Sequence, residues 1–265
     1  MTLPADLRGN PWPDVSWDGG DRPLVLVDGV RYRAGEWPVG PVRGQAAYVV
    51  GCRQEAFDAL VAQLDVERLQ LYDMRVADVG ALRRLPSLQH LAIRWNTKLS
   101  DLAPLAGLPL RSLVLDDTPK ARDLAPLATL LELQHLELTG GVWSRNTAAS
   151  LEPLGALPRL EELALLNLKV ESGGLRPLAG CHALRRLRVS NQFETADYAY
   201  LAARLPAAEC SRFAPYTRLD PAIGDKDTMI TGRRKPLLDS RKDAERIARY
   251  ELAFWEMQRR FLDEA

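Results

Sequence analysis

The sequence predicts an α/β solenoid: a parallel sheet on the concave side, short helical turns on the convex side, an N-terminal β/α cap and a C-terminal helix. Three observations predict it. A frame of the form LxxLxL returns six times, at Val66-Leu69-Leu71, Leu88-Leu91-Ile93, Leu110-Leu113-Leu115, Leu133-Leu136-Leu138, Leu160-Leu163-Leu165 and Leu184-Leu187-Val189. Its starts at 66, 88, 110, 133, 160 and 184 differ by 22, 22, 23, 27 and 24 residues. Units of roughly 20–29 residues that cannot bury their own apolar face do so by stacking. A second apolar set follows the frame at three-residue spacing: Val76-Val79-Leu82-Leu85, Leu99-Leu102-Leu105-Leu108, Leu124-Leu127-Leu130, Leu151-Leu154-Leu157 and Leu175-Leu178. With Pro86, Pro109, Pro158 and Pro206 near the unit ends, that spacing predicts one or two tight helical turns per unit.

Taken in chain order, residues 1–65 form an arm and a cap. Up to about residue 22, Pro4, Pro11 and Pro13 alternate with Gly9, Gly19 and Gly20 around Trp12 and Trp17, so we expect an irregular arm that packs against something. The stretches 24–27 and 46–50 alternate like strands. Phe57, Leu60, Val61 and Leu64 fall at helical spacing. A solenoid needs such a cap, since its first strand would otherwise offer an unpaired edge.

Residues 66–213 form the solenoid, and 208–213 are expected as a seventh, edge strand. The remainder, 214–265, begins as a loop rich in Asp, Pro and Gly. It ends in a helix from Ser240 to about Leu262, where Ser240 and Asp243 make a capping-box-like start. Ile247, Tyr250, Phe254, Met257 and Phe261 give that helix one apolar stripe. The stripe is expected to dock on the end of the solenoid as a cap. Its alternative use, with Trp255 beside it, is weak self-association or partner contact.

The motifs LxDLAPLAxLP at 99–109 and RDLAPLATL at 122–130 resemble bacterial leucine-rich repeats of the internalin-like class, over roughly residues 66–206. The resemblance implies a leucine-rich-repeat solenoid and leaves the partner open, because that class shares a scaffold while its partners differ. The class's polar ladder position is Asn96 in one unit but Met74, Thr118, Gly141, Leu168 and Gln192 elsewhere, with Asn167 and Asn191 standing one residue early. The wall anchor and secretion signal of surface-displayed internalins have no counterpart here, so their invasion role is not transferred.

Strand alternation turns the third, fifth and seventh positions of each unit onto the concave face. The third positions are Arg68, His90, Ser112, His135, Glu162 and Arg186; the fifth are Gln70, Ala92, Val114, Glu137, Ala164 and Arg188; the seventh are Tyr72, Arg94, Asp116, Thr139, Leu166 and Ser190. Tyr72, Arg94, Trp95, Asp116 and Asp117 on three adjacent units look like a protein-binding hot spot, aromatic and arginine anchors beside charges that set register. The opposing reading is that Arg94 and Asp116 simply pair with each other. The fourth unit is the longest, and its insertion adds Trp143 and Arg145 to the candidate surface.

Other chemistry finds little support. His90 and His135 share a column without further ligands, and a triad drawn through Ser112, a histidine and Asp116 would stand on an open sheet with no oxyanion hole. No phosphate-binding glycine loop, HExxH or CxxC occurs, so no enzyme activity and no cofactor are expected. Thirty-five basic and 35 acidic residues leave no net charge, which argues against a general binder of phosphate backbones or anionic membranes. Three scattered cysteines do not make a disulfide framework, and Cys181 falls where neighbouring units have leucine. The opening MTLPADLRGNPWPD has neither the basic start nor the apolar run of a secretory signal, so the expected location is the cytoplasm.

The resulting expectation is a non-catalytic module that holds an unidentified protein on its concave face. Two alternatives stand beside it: a translocated effector that binds a host protein, and a nucleic-acid-associated regulator. The regulator would use the segment from Gly232 to Arg249, where seven Lys or Arg face three acids.

Overall fold

The structure, a computed structural model, describes residues 24–33 and 41–264. The arm expected over the first 22 residues lies outside them. A hairpin of β1 (Leu24–Val27) and β2 (Val30–Arg33) opens the described chain, followed by β3 (Val42–Val50), α1 (Gln54–Val61) and β4 (Leu64–Tyr72). β1 runs antiparallel to both β2 and β3, and β3 pairs parallel with β4. The alternating apolar residues therefore become a cap that continues the solenoid's sheet and buries Phe57, Leu60 and Val61 of α1 beneath it.

The main strands of the next units are β5 (His90–Arg94), β6 (Ser112–Asp116), β7 (His135–Thr139), β9 (Glu162–Leu166) and β11 (Arg186–Val189). With β4 they pair in parallel, and Leu69, Leu91, Leu113, Leu136, Leu163 and Leu187 align as cross-strand partners. The convex turns form where three-residue spacing predicts them. Gly80–Arg84, Ala103–Leu105, Ala125–Thr129 and Arg176–Gly180 are 3₁₀ turns, and Glu152–Gly155 is the short helix α2. Proline occupies the first or second helical position in four of these five turns. There its fixed φ suits the helix and its missing N–H costs nothing.

The two leucine sets meet in one continuous core that reaches from Val25 to Phe261. Each fully buried leucine contributes roughly 1.5–3 kcal/mol. Cys181 takes a leucine's place in that core, with its thiol on the Leu154 carbonyl at 3.2 Å, and burial pushes its pKa up to about 11.

Three features depart from the expectations. First, the fourth unit's insertion forms β8 (Asn146–Ser150), which pairs in parallel with β10 (Leu168–Ser172) as a second small sheet. Second, the seventh strand is reduced to one parallel bridge between Arg186 and Glu209, and α3 (Thr195–Arg204) replaces the tight turn before it. Third, the expected loop after residue 214 is a sheet of β12 (Tyr216–Ile223), β13 (Lys226–Ile230) and β14 (Leu237–Leu238). β12 is mostly exposed and carries no clean alternation, and β13 and β14 are too short for periodicity to reveal them, although they bury Thr228, Ile230 and Leu238.

The last helix, α4 (Ala244–Asp263), starts later than predicted and without a capping box. Ser240 instead gives its hydroxyl and its N–H to Asp227, at 2.6 and 2.9 Å. Asp239 accepts from the N–H groups of Arg241 and Lys242. The stripe divides: Ile247 and Tyr250 pack against the C-terminal sheet, while Phe254, Met257 and Phe261 dock on the end of the solenoid. Phe254 and Phe261 are buried, and Phe261 meets Tyr200 of α3 edge to face at 5.3 Å. Arg176 lies over the Tyr200 ring at 5.3 Å and Arg204 at 5.4 Å. Among the described residues no helix is long and apolar enough to cross a membrane.

Candidate partner-binding surface

Each main strand leads into a residue that turns the chain off the sheet. In register these are Asp73, Trp95, Asp117, Gly140 and Asn167, and all but the glycine have left-handed backbones, with φ of 48, 52, 50 and 48°. Their N–H groups continue the ladder from unit to unit: Asp73 donates to the Arg94 carbonyl, Trp95 to that of Asp116 and Asp117 to that of Thr139. Aspartate and asparagine tolerate this conformation through local side-chain hydrogen bonds, whereas a tryptophan gains nothing from it.

Trp95 is 49% exposed, and Tyr72 braces it edge to face with ring centroids 5.8 Å apart. Beside them Arg94 donates to the Asp116 carboxylate at 2.9 Å, so the two do pair. Arg94 is only 6% exposed. The Asp116 carboxyl is pushed up chiefly by burial, against the pull of Arg94 and with help from Glu137 and Asp117.

Asp117 has a structural task. Its carboxylate accepts from the Ser144 hydroxyl, and Gly141 leaves it room, since a Cβ there would stand 2.4 Å from that carboxylate. Asn167 completes the clasp by donating to the carbonyls of Gly141 and Ser144. The insertion loop is thereby tied down at its base while Trp143, 97% exposed, projects at its tip. Arg145 turns towards Asn167, whose amide oxygen it meets at 3.3 Å.

Thus Tyr72 and Trp95 touch, Arg94 and Asp116 pair, and Asp117 links that group to the loop carrying Trp143. Arg145 shares the loop, and its side-chain hydrogen bond goes to Asn167 rather than to any of the other six. The ladder reading holds at Asn96, which donates to the Val76 carbonyl at 2.9 Å, and at Gln192, which donates to that of Leu168. Asn167 and Asn191 do not continue that ladder: Asn167 holds the insertion loop. Asn191 donates to the Ile230 carbonyl and accepts from the Gly232 N–H, which joins the sixth unit to the C-terminal sheet.

The wall itself is less open than alternation predicts. Ala92 and Val114 are fully shielded from solvent, and among the described residues no other apolar side chain packs against the pair. Gln70 is 1% exposed, and its amide has no hydrogen-bond partner among the described residues. His90 and His135 flank Ser112, with Nδ1 at 2.9 and 3.5 Å from its hydroxyl, and all three are buried. Further along, the wall is a lattice of ion pairs, Arg186 with Glu162 and Arg188 with Glu137. On this side of the molecule, exposed aromatic surface is therefore concentrated at the rim, at Trp95 and Trp143, while Trp255 is exposed on α4. The sequence placed Gln70 on the concave face but could not show its burial, and the left-handed column left only aspartate and asparagine at matching post-strand positions as its visible trace.

No family model matches the chain, and no curated protein does. Among solved structures the chain is similar to an internalin C2 (inlC2) from Listeria monocytogenes str. 4b F2365. That match has 27% identity, covers 61% of this chain and 68% of that one, and has a TM-score of 0.46. The chain is also similar to an internalin (inlF) of the same strain, at 22% identity over 61% of this chain and 52% of that one, with a TM-score of 0.45. It spans about half the length of inlF.

Proposed function

We propose that the protein is a non-catalytic recognition module that holds a protein partner on its concave side, gripped from the rim where Tyr72, Trp95 and Trp143 stand. The carrying observation is Trp95 in the left-handed conformation. A non-glycine residue there costs on the order of 1–2 kcal/mol, and neighbouring units fill the same position with Asp or Asn. Strain kept at a half-exposed, braced aromatic points to use of the ring in contact. Arg94 and Asp116 are then a paired base under the ring, and Asp117 is the clasp of the loop.

Burial of Ser112 between two imidazoles favours a binding wall over a nucleophile, which needs access to substrate. The regulator alternative draws less support because three of the seven cations of the basic segment are matched locally. Lys242 sits 2.9 Å from Asp225 and 3.4 Å from Asp239, Arg246 is 3.1 Å from Asp243 and Arg233 is 3.8 Å from Glu194.

The test is affinity capture from the native cell with the wild-type chain and with Trp95→Asn, at low and high salt. We expect a protein retained by the wild type at both salts and lost from the variant. Retention that collapses with salt and ignores position 95 would favour the polyanion reading instead.

A further inference from the structure

The basic turn that follows β13 is held rigidly against the solenoid. Asn191 accepts from the Gly232 N–H at 2.7 Å, Phe193 accepts from the Arg233 N–H at 2.6 Å, and Thr195 donates to the Thr231 carbonyl at 2.9 Å. Thr231 in turn donates its hydroxyl to the Ala214 carbonyl at 2.6 Å. The turn closes one side of a cavity of about 460 Å³, and the other side is formed by β10 and the base of the fourth-unit loop. Cations reach it from three separate segments: Arg145 from the loop, Lys169 from β10, and Arg233 with Arg234 from the turn.

Two acids share the cavity, and each is occupied. Glu194 lies 3.8 Å from Arg233, and Asp197 lies 3.7 Å from Arg176, which is not part of the lining. Lys169 has a loose contact at 3.9 Å with Glu171, whose carboxylate is already gripped by Arg122. Among the described residues Arg145 and Arg234 have no carboxylate partner. Arg234 also has a left-handed backbone, φ 57°, where glycine or asparagine would be cheaper. Strain is again kept at an exposed side chain, this time one aimed into a cation-rich hollow.

We propose that this cavity binds the phosphate group of a small phosphorylated molecule, with Arg145, Lys169 and Arg234 as its ligands. A lone carboxylate would leave most of the positive charge unmatched, whereas a phosphate monoester brings close to two negative charges and three acceptor oxygens. The volume exceeds what the phosphate alone needs and falls within the range of small-molecule sites, roughly 300–1,000 Å³, so the ester carries a body. The site shares the fourth-unit loop with the rim through Arg145, but its other two ligands, Lys169 and Arg234, stand apart from it, and it does not depend on the partner-binding reading.

Calorimetry on the full chain tests it, with inorganic phosphate, glucose 6-phosphate and a phosphoserine tripeptide as probes and free glutamate as the carboxylate control. The phosphate-bearing probes are expected to bind, more weakly as salt rises, and the tighter of the two esters names the source of the group. Arg145→Gln and Arg234→Gln should each weaken binding about tenfold or more. Arg241→Gln, outside the cavity, and Trp95→Asn, on the rim, should leave it unchanged. Absence of binding by all phosphate probes, equal binding of glutamate, or indifference to both cavity variants would overturn the proposal. All the substituted side chains except Trp95 are surface arginines, so folding does not obscure the result.

Discussion

At the scale of single residues, the molecule separates side chains kept for the fold from those kept despite it. Trp95 belongs to the second group. Replacing it with asparagine, which suits a left-handed backbone, should change stability by no more than about 1 kcal/mol, because relief of strain offsets the lost contact with Tyr72. Urea unfolding would check this, and a loss well beyond that figure would make the ring structural. Tyr198 belongs to the first group. Its hydroxyl donates to the Ser190 carbonyl at 2.6 Å and accepts from the N–H groups of Gln192 and Phe193, and burial pushes its pKa up to about 12. Tyr198→Phe leaves three backbone groups without this partner and should cost about 1–3 kcal/mol in the same measurement. The sequence displays Trp95 as an aromatic beside a strand. It cannot display the sign of φ, nor that Asp117 is consumed by Ser144 and Gly141, because those depend on a loop 24 to 27 residues further along.

At the scale of elements, the repeating unit was legible because two periods coincide in it, alternation for the strand and three-residue spacing for the turn. Leu113 sits in the middle of that pattern with no exposure. Leu113→Ala should therefore cost roughly 2–5 kcal/mol, read as a lower denaturation midpoint, since a stacked layer has only its neighbours to close a cavity. The C-terminal sheet was not legible, because β12 lies largely in solvent and the buried apolar residues of β13 and β14, Ile230 and Leu238, pack against Ile247 of α4 rather than against the repeat. Polar bonds also clasp it. Asp227 accepts first from the Ser240 hydroxyl and then from that of Thr228, which holds its carboxyl down at about 2. A depressed carboxyl stabilises the fold above its unfolded pKa of about 4, and that contribution is lost as pH falls towards about 2. Circular dichroism during acid titration should show the 214–243 region loosening in that window, and Asp227→Asn should flatten this part of the profile. An unchanged profile would show that the clasp carries no weight.

At the scale of the whole molecule, the horseshoe could be anticipated from the leucine frame, and the parallel register of its six unit strands bears that out. The degree to which its inner wall is closed could not. Alternation states which side chains leave the core, yet it is silent on whether solvent then reaches them, and Ala92 and Val114 are fully shielded on the concave side. The proposed grip is consequently placed at the rim, where strain, exposure and aromatic bracing coincide at Trp95. Amide hydrogen exchange on the protein alone and with its captured partner measures that assignment most directly. Added protection centred on residues 72–74, 94–96 and 142–145 is the predicted outcome. Protection confined to the convex turns or to α4, with the rim unaffected, would contradict it.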